Sequence, residues 1–326
     1  MSAPLLDQNL LDANVEVLKQ LNKIDIGASY HIFFISNPIC GLISAMYAER
    51  LKIPKELRIV IPIRDLDVSC ISGMEMTETS RISDRLLAKI GVNSLSLRIR
   101  QRLNKLNKPY IVYAPWYIPH IRWVLDSPNC AGHAYLEEGQ ISHAEKPNFP
   151  AGSDVNKIGL PKPEPVFAEK KKYVFRDDAL AYIRIHPAAF PCMPAKTCLT
   201  LNNFEIVDSF YSPRLKGIKT IGIGPAPRRV SHSNFDDIFH RILDQLPKGS
   251  AFKLHPGFYG FPREFERFRE LLSAKYKDTI LLCDRDTLIE AEMMQEPKVL
   301  YGPQSSLQEY AKFFGSSYHF LQLTNV

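Results

Sequence analysis

Short apolar runs alternate with stretches of helical spacing along most of this chain. Residues 5–21 carry apolar side chains at helical intervals and predict an amphipathic first helix. Residues 31–36 form a compact apolar run, as a buried strand does, and Asn37-Pro38 breaks it. Residues 39–51 then read as a helix with proline at its first turn. Residues 57–63 and 110–114 predict two more strands, with one or two basic helices over 81–106 between them. Residues 116–125 follow the second of these strands, and residues 133–136 run as a strand straight into Glu137-Glu138-Gly139.

Residues 147–165 shift to Pro, Lys, Asn and Gly, the character of a surface connection. Residues 173–210 hold short apolar pieces broken by Pro187, Pro191 and Pro194, and read as the end of one domain or the crossing to another. The last third is regular. Strands at 218–223, 251–254, 279–282, 298–301 and 318–321 alternate with helices at 234–246, 263–274, 288–294 and 306–314. Such alternation predicts parallel sheets. The expected fold class is therefore α/β, as two doubly wound Rossmann-like domains, 1–210 and 211–326, facing each other across a cleft.

Composition narrows the functional classes. Of 326 residues, 45% are hydrophobic, which supports substantial cores and argues against disorder. The net charge of +6 is a mild excess and predicts no nucleic-acid partner. Basic residues gather at 81–89, 98–108 and 170–172. The 98–108 stretch reads either as a solvated helix face or as a surface for an anionic glycan or the inner membrane. Six scattered cysteines without a CxxC pair read as free thiols in a reducing cytoplasm. Asp7, Asp12 and Glu16 argue against a signal peptide, and no apolar run nears the ~20 residues of a membrane helix. A cytoplasmic protein is expected, with at most peripheral contact at the inner membrane.

The candidate chemistry lies at strand ends, where α/β proteins bind ligands. His255 closes one strand, Pro256 stops the ladder, and Gly257 follows. An imidazole there suits proton donation to a leaving phosphate, or simply caps the strand. Ile185-His186-Pro187 repeats the His-Pro pair and reads as a decoy. Ser305 and Ser306, between a strand and a helix, suit phosphate contacts or a plain helix N-cap. Glu137 and Glu138 offer a general base or a solvated turn, and strand alternation lets only one of them face a cleft. Gly222-Ile223-Gly224 starts like a dinucleotide fingerprint, but Pro225-Ala226-Pro227 removes the third glycine. Gly224 still allows close backbone approach, and Arg228 or Arg229 could meet a charged ligand. Asp65-Leu66-Asp67 and Asp284-Arg285-Asp286 mimic metal-binding pairs, yet neither has an adjacent third ligand. Asp286 reads as the cap of the helix near Leu288, and no metal is expected.

In order and spacing, Glu137-Glu138-Gly139, Lys253-Leu254-His255-Pro256 and Ser305-Ser306 resemble the bacterial sialyltransferases, closest to the capsular polysialyltransferase and lipooligosaccharide sialyltransferase branches. The motifs span 137–306, and continuous resemblance covers about residues 218–321. The resemblance implies a GT-B fold, CMP-sialic acid as donor, a glycan acceptor, inversion at the anomeric carbon and no metal or other cofactor. It assigns the base to Glu138, the acid to His255 and the phosphate contacts to Ser305 and Ser306. It also implies a ribose-binding carboxylate, at Glu292 or Glu290. Glu-Glu stands where an Asp often holds the base position. A CMP-linked 2-keto sugar acid such as Kdo is the alternative donor, and a silent glycan- or nucleotide-binding protein the alternative class.

Overall fold

The computed structural model describes residues 8–21, 26–62, 101–115, 122–125, 127–143 and 179–322, together with residues 71, 74 and 99. The 147–165 connection, Asp65-Leu66-Asp67 and all of the basic 81–98 stretch lie outside the described residues. The chain divides into one unit over 5–203 and another over 204–326.

The first unit is built on strands β1 (Tyr30–Ile35), β2 (Arg58–Pro62), β3 (Tyr110–Pro115), β4 (Cys130–Leu136), β5 (Ala181–Arg184) and β6 (Cys198–Thr200). They form one parallel sheet in the order β2-β1-β3-β4-β5-β6. Its strands are mostly buried apolar runs, with His31, Arg58, His133, Arg184 and Thr200 as the buried polar members. Ile32, Phe34, Ile59, Ile61, Val112 and Ala114 point to one face, into a cluster with Leu103, Val124 and Leu125. Phe33 and Tyr113 stack at 4.7 Å on the other, where Tyr47 of helix α2 (Pro38–Arg50) meets Tyr113 at 5.0 Å. Asn37 caps α2 by accepting from the Cys40 N–H at 3.0 Å, and Pro38 opens it. Helix α1 (Gln8–Leu21) closes the sheet edge at β6. There the Asn14 amide exchanges both hydrogen bonds with the Thr200 backbone, at 2.9 and 2.7 Å, as a neighbouring strand would. A short helix α3 (Arg122–Leu125) precedes β4.

The second unit carries strands β7 (Thr220–Ile223), β8 (Ser250–Lys253), β9 (Ile280–Leu282), β10 (Val299–Gly302) and β11 (Ser317–Phe320). This sheet is also parallel, in the order β11-β10-β7-β8-β9. Helices α4 (Phe235–Leu243), α5 (Pro262–Lys275), α6 (Ile289–Gln295) and α7 (Leu307–Phe313) connect the strands. On α4, Phe235, Ile238, Phe239, Ile242 and Leu243 recur at helical spacing and are buried. Phe239 meets Phe268 of α5 at 4.7 Å, and Phe268 meets Phe252 of β8 at 5.0 Å, so aromatic rings hold both helices to the sheet. Phe204 packs edge-on to Phe313 and Phe314 at 6.2 and 5.3 Å and so groups with the second unit. No described helix is long and apolar enough to cross a membrane.

Both sheets reverse direction once. In the first, the chain leaves β1 for β2 and returns on the other side to β3; in the second, it goes from β7 out to β9 and returns to β10. Ligands of doubly wound sheets bind at the carboxyl ends of strands flanking such a reversal.

Candidate functional site

In the second unit the reversal lies between β7 and β10, and several of the sequence-selected residues collect around it. Gly224 directly follows β7, and its N–H donates to the Lys253 carbonyl at 2.9 Å. A Cβ on Gly224 would lie 3.3 Å from the His255 nitrogen, so the glycine lets the β7 and β8 ends run close together. Gly302 at the end of β10 is tighter. A Cβ there would come within 2.8 Å of both Cβ and carbonyl oxygen of Ile223. The loop after β10 is further held by the Tyr318 hydroxyl, which donates to the Pro303 carbonyl.

Ser305 and Ser306 follow on that loop, both half-buried. Ser305 Oγ accepts from the Leu307 N–H at 3.3 Å, while Ser306 makes no side-chain capping bond. Arg229 reaches across the reversal from the β7 side and donates to the Gln304 carbonyl at 3.2 Å. A guanidinium and two hydroxyls thus stand on the strand ends that flank the reversal, groups able to meet an anion.

His255 is exposed beyond β8. Its Nδ1 accepts from the Gly257 N–H at 3.0 Å and Pro256 opens the short turn that makes this possible. A ring nitrogen that accepts carries no proton, so the neutral ring bears its proton on Nε2. His255 is therefore fixed as a hydrogen-bond donor through Nε2. Becoming an imidazolium would replace the Nδ1 acceptor by a second donor facing Gly257 N–H.

The two ribose candidates separate cleanly. Glu292 is buried, its Oε1 accepting from Tyr211 Oη at 2.8 Å and Arg214 N at 2.7 Å, its Oε2 from Leu215 N at 3.1 Å. Its carboxylate fastens the segment entering β7, which leaves it unsuited to a ribose. Glu290 is half-buried at the start of α6, and burial raises its carboxyl above the usual range, partly offset by the Lys253 ammonium. The Lys253 ammonium itself donates to the Asp284 and Arg285 carbonyls at 2.8 and 2.6 Å and so fixes the loop after β9. Asp286 does not cap α6; with Asp284 it pairs with Arg214, at 2.6 and 3.1 Å. On the same rim Arg285 lies 5.3 Å over the Tyr259 ring, whose hydroxyl is pushed up to about 12, chiefly by burial.

The first unit places its acidic pair beside its own reversal. Gly139, at φ +90°, turns the chain after β4. Glu137 is fully buried, and its Oε2 accepts from the Ile185 and His186 N–H groups at 2.7 and 3.0 Å. Glu138 is half-buried, and its Oε2 accepts from Ser36 Oγ at 3.1 Å. The Asn37 amide holds the Glu138 carbonyl at 2.7 Å and Ser142 Oγ its N–H at 2.9 Å. Glu138 is thus the carboxylate turned toward the end of β1, and Glu137 is structural. Sequence reading gave Ser36 and His143 no role, took Asn37 only as a strand break and His186 as a decoy; the partner of Ser36, Glu138, lies far along the chain.

No protein-family model matches the sequence, and no curated protein does. In structure the chain is similar to Staphylococcus aureus MnaA with UDP, at 13% identity and TM-score 0.50, over 90% of this chain and 79% of that one. It is similarly related to UDP-GlcNAc 2-epimerase from Neisseria meningitidis bound to UDP-GlcNAc, at 10% identity and TM-score 0.50, over 90% and 83%. Two parallel, doubly wound α/β units in sequence, together with this likeness, make the fold of the chain GT-B.

Proposed function

We propose that the chain is a glycosyltransferase that takes its donor sugar from a nucleotide, and specifically an inverting sialyltransferase using CMP-sialic acid without a metal. The observation that carries the reading is the set of side chains on the strand ends at the β7/β10 reversal: Arg229 follows β7 and bonds the Gln304 carbonyl, Ser305 and Ser306 follow β10, and His255 follows the neighbouring β8. In this reading the serines and Arg229 take the CMP phosphate, and Glu290 takes the ribose hydroxyls. The acceptor hydroxyl attacks the anomeric carbon of sialic acid, its proton passes to Glu138, and the bond to the phosphate oxygen breaks. His255 donates a hydrogen bond from Nε2 to that oxygen. Because Nδ1 is already an acceptor, His255 stabilises the departing charge and the phosphate leaves unprotonated. Donors placed in advance for developing charge are worth about 10²–10³ in kcat each. Asp284 and Asp286 are engaged with Arg214, which accords with a reaction needing no metal on that pair.

A second reading has an observation of its own: the similar solved structures carry UDP and UDP-GlcNAc. A UDP-sugar, or another CMP-linked 2-keto sugar acid, would use the same strand-end groups. The roles are tested with Glu138→Gln and His255→Ala on CMP-sialic acid. Both variants should keep the thermal shift given by CMP and lose transfer by at least about 10²-fold. Full transfer by either variant removes that residue from its role, and turnover of UDP-sugars alone selects the second reading.

A further inference from the structure

The ends of β1 and β4 are not neighbours in the first sheet, because β3 runs between them. Side chains tie them together all the same. Ser36 and Asn37 follow β1, and Glu138 stands two residues beyond the end of β4. Asn37 Nδ2 donates to the Glu138 carbonyl at 2.7 Å, while its Oδ1 caps α2 through the Cys40 N–H at 3.0 Å. Ser142 Oγ accepts from the Glu138 N–H at 2.9 Å. Both backbone polar groups of Glu138 are thus held, and what is left to fix is the direction of its side chain.

Ser36 supplies that. Its hydroxyl is buried, and a buried hydroxyl without a partner is costly. It donates to Glu138 Oε2 at 3.1 Å, over a separation of 102 residues. Cys40 Sγ lies 3.5 Å from Ser36 Oγ but gives its own proton to the Glu137 carbonyl at 3.3 Å. The Ser36 proton is therefore the one that serves the carboxylate. Titratable groups facing Glu138 include that Cys40 thiol on α2, which burial and then the Glu138 charge push up. Glu137, its neighbour in sequence, turns the other way, to the Ile185 and His186 N–H groups and to His143.

We propose that Ser36 is a positioning residue for Glu138: its hydroxyl aims the carboxylate and favours its charged form. Asn37 and Ser142 fix the main chain from which that side chain is aimed. A hydrogen bond to the charged form of a group favours that form, so Ser36 extends to lower pH the range in which Glu138 accepts a proton. A proton acceptor held in this way meets an incoming hydroxyl in a set geometry. The use made of Glu138 rests on the glycosyltransferase reading, which the inference deepens. The positioning itself is measurable without any substrate.

The test follows the Glu138 carboxyl by ¹³C NMR across pH in the full chain, with Glu138→Gln to identify its signal. Ser36→Ala should raise the titration midpoint by about one pH unit, as loss of a hydrogen bond to a charged group does. Ser36→Cys keeps a weaker donor and should fall between Ser36→Ala and the wild type. Asn37→Ser keeps an oxygen to cap α2 but gives up the amide on the Glu138 carbonyl. Its midpoint should stay nearer the wild type than that of Ser36→Ala. A midpoint unchanged or lowered in Ser36→Ala, or raised as far in Asn37→Ser, overturns the role of Ser36. In transfer assays the acid limb of kcat/KM should move up with the carboxyl in Ser36→Ala. A limb that stays while the carboxyl titration moves, or full transfer by Glu138→Gln, counts against Glu138 as the base and leaves the positioning by Ser36 standing.

Discussion

Glu290 and Glu292 sit two positions apart on one short helix, and opposite consequences are expected when each is changed. Glu292 receives the Tyr211 hydroxyl and the Arg214 and Leu215 N–H groups, all within 3.1 Å, in a buried setting. A hydrogen bond to a charged group contributes about 1.5–3 kcal/mol, and an orphaned buried donor costs about 1–3 kcal/mol. These are not additive, so Glu292→Ala should cost about 3–5 kcal/mol, all of it in the second unit. Glu290→Gln should cost nothing near neutral pH. Its folded carboxyl is raised by burial, so the favourable contribution of that group is present at low pH and lost as pH rises through the raised value. Removing the charge therefore leaves the second unit as stable or slightly more so at pH 7. CMP affinity should nevertheless fall at least about tenfold, by loss of the ribose hydrogen bonds. Urea titrations read the stability side. Far-ultraviolet circular dichroism follows the loss of helix and strand. Glu292→Ala should lower the dichroism midpoint. If Glu290→Gln is the more destabilising of the two, or binds CMP as tightly as the wild type, the assignment is wrong.

Gly302→Ala forces a methyl to 2.8 Å from Ile223 backbone and side chain, and should destabilise the second unit by about 1–3 kcal/mol in the same urea assay. Ser305→Ala and Ser306→Ala together should raise the Kd for CMP about tenfold or more by calorimetry, with the dichroism midpoint shifted by under about 1 kcal/mol. His31 is buried between Tyr113 Oη at 3.0 Å and the Ile26 carbonyl at 3.1 Å, and burial lowers its folded value. The unfolded ring protonates first, so first-unit stability should be full above the ordinary histidine value of 6.5 and fall below it, by up to about 1.4 kcal/mol per pH unit. His31 ¹⁵N spectra should show a ring that stays neutral to lower pH than an exposed histidine, and a ring that protonates like an exposed one without loss of stability would contradict this.

How much could be read in advance depended on how local the determinants were. The second unit was legible because each strand is a short apolar run bounded by Gly, Pro or Asp, and each helix shows its own apolar face. β5 and β6 were not: four and three residues long, between prolines, they are strands only because β4 and α1 supply their partners. Asp286 has the form of a cap, yet Arg214, remote in sequence, claims it. His186 looked incidental because the carboxylate that gives it a setting lies on another strand end. Glu292 did leave a signal: with Ile289 and Met293 it falls on the buried face of α6, and Glu290 falls away from it. The distinction between Glu137 and Glu138 needed only strand alternation, but which of them turns inward is set by Ile185 and His186.

The central claim is tested most directly by nucleotide release from CMP-sialic acid in EDTA, with and without sialylated oligosaccharide acceptors, beside UDP-sugars as controls. The account expects acceptor-stimulated CMP release that EDTA does not diminish. Release of UDP from UDP-sugars with none of CMP, or release abolished by EDTA and restored by a divalent metal, would contradict it.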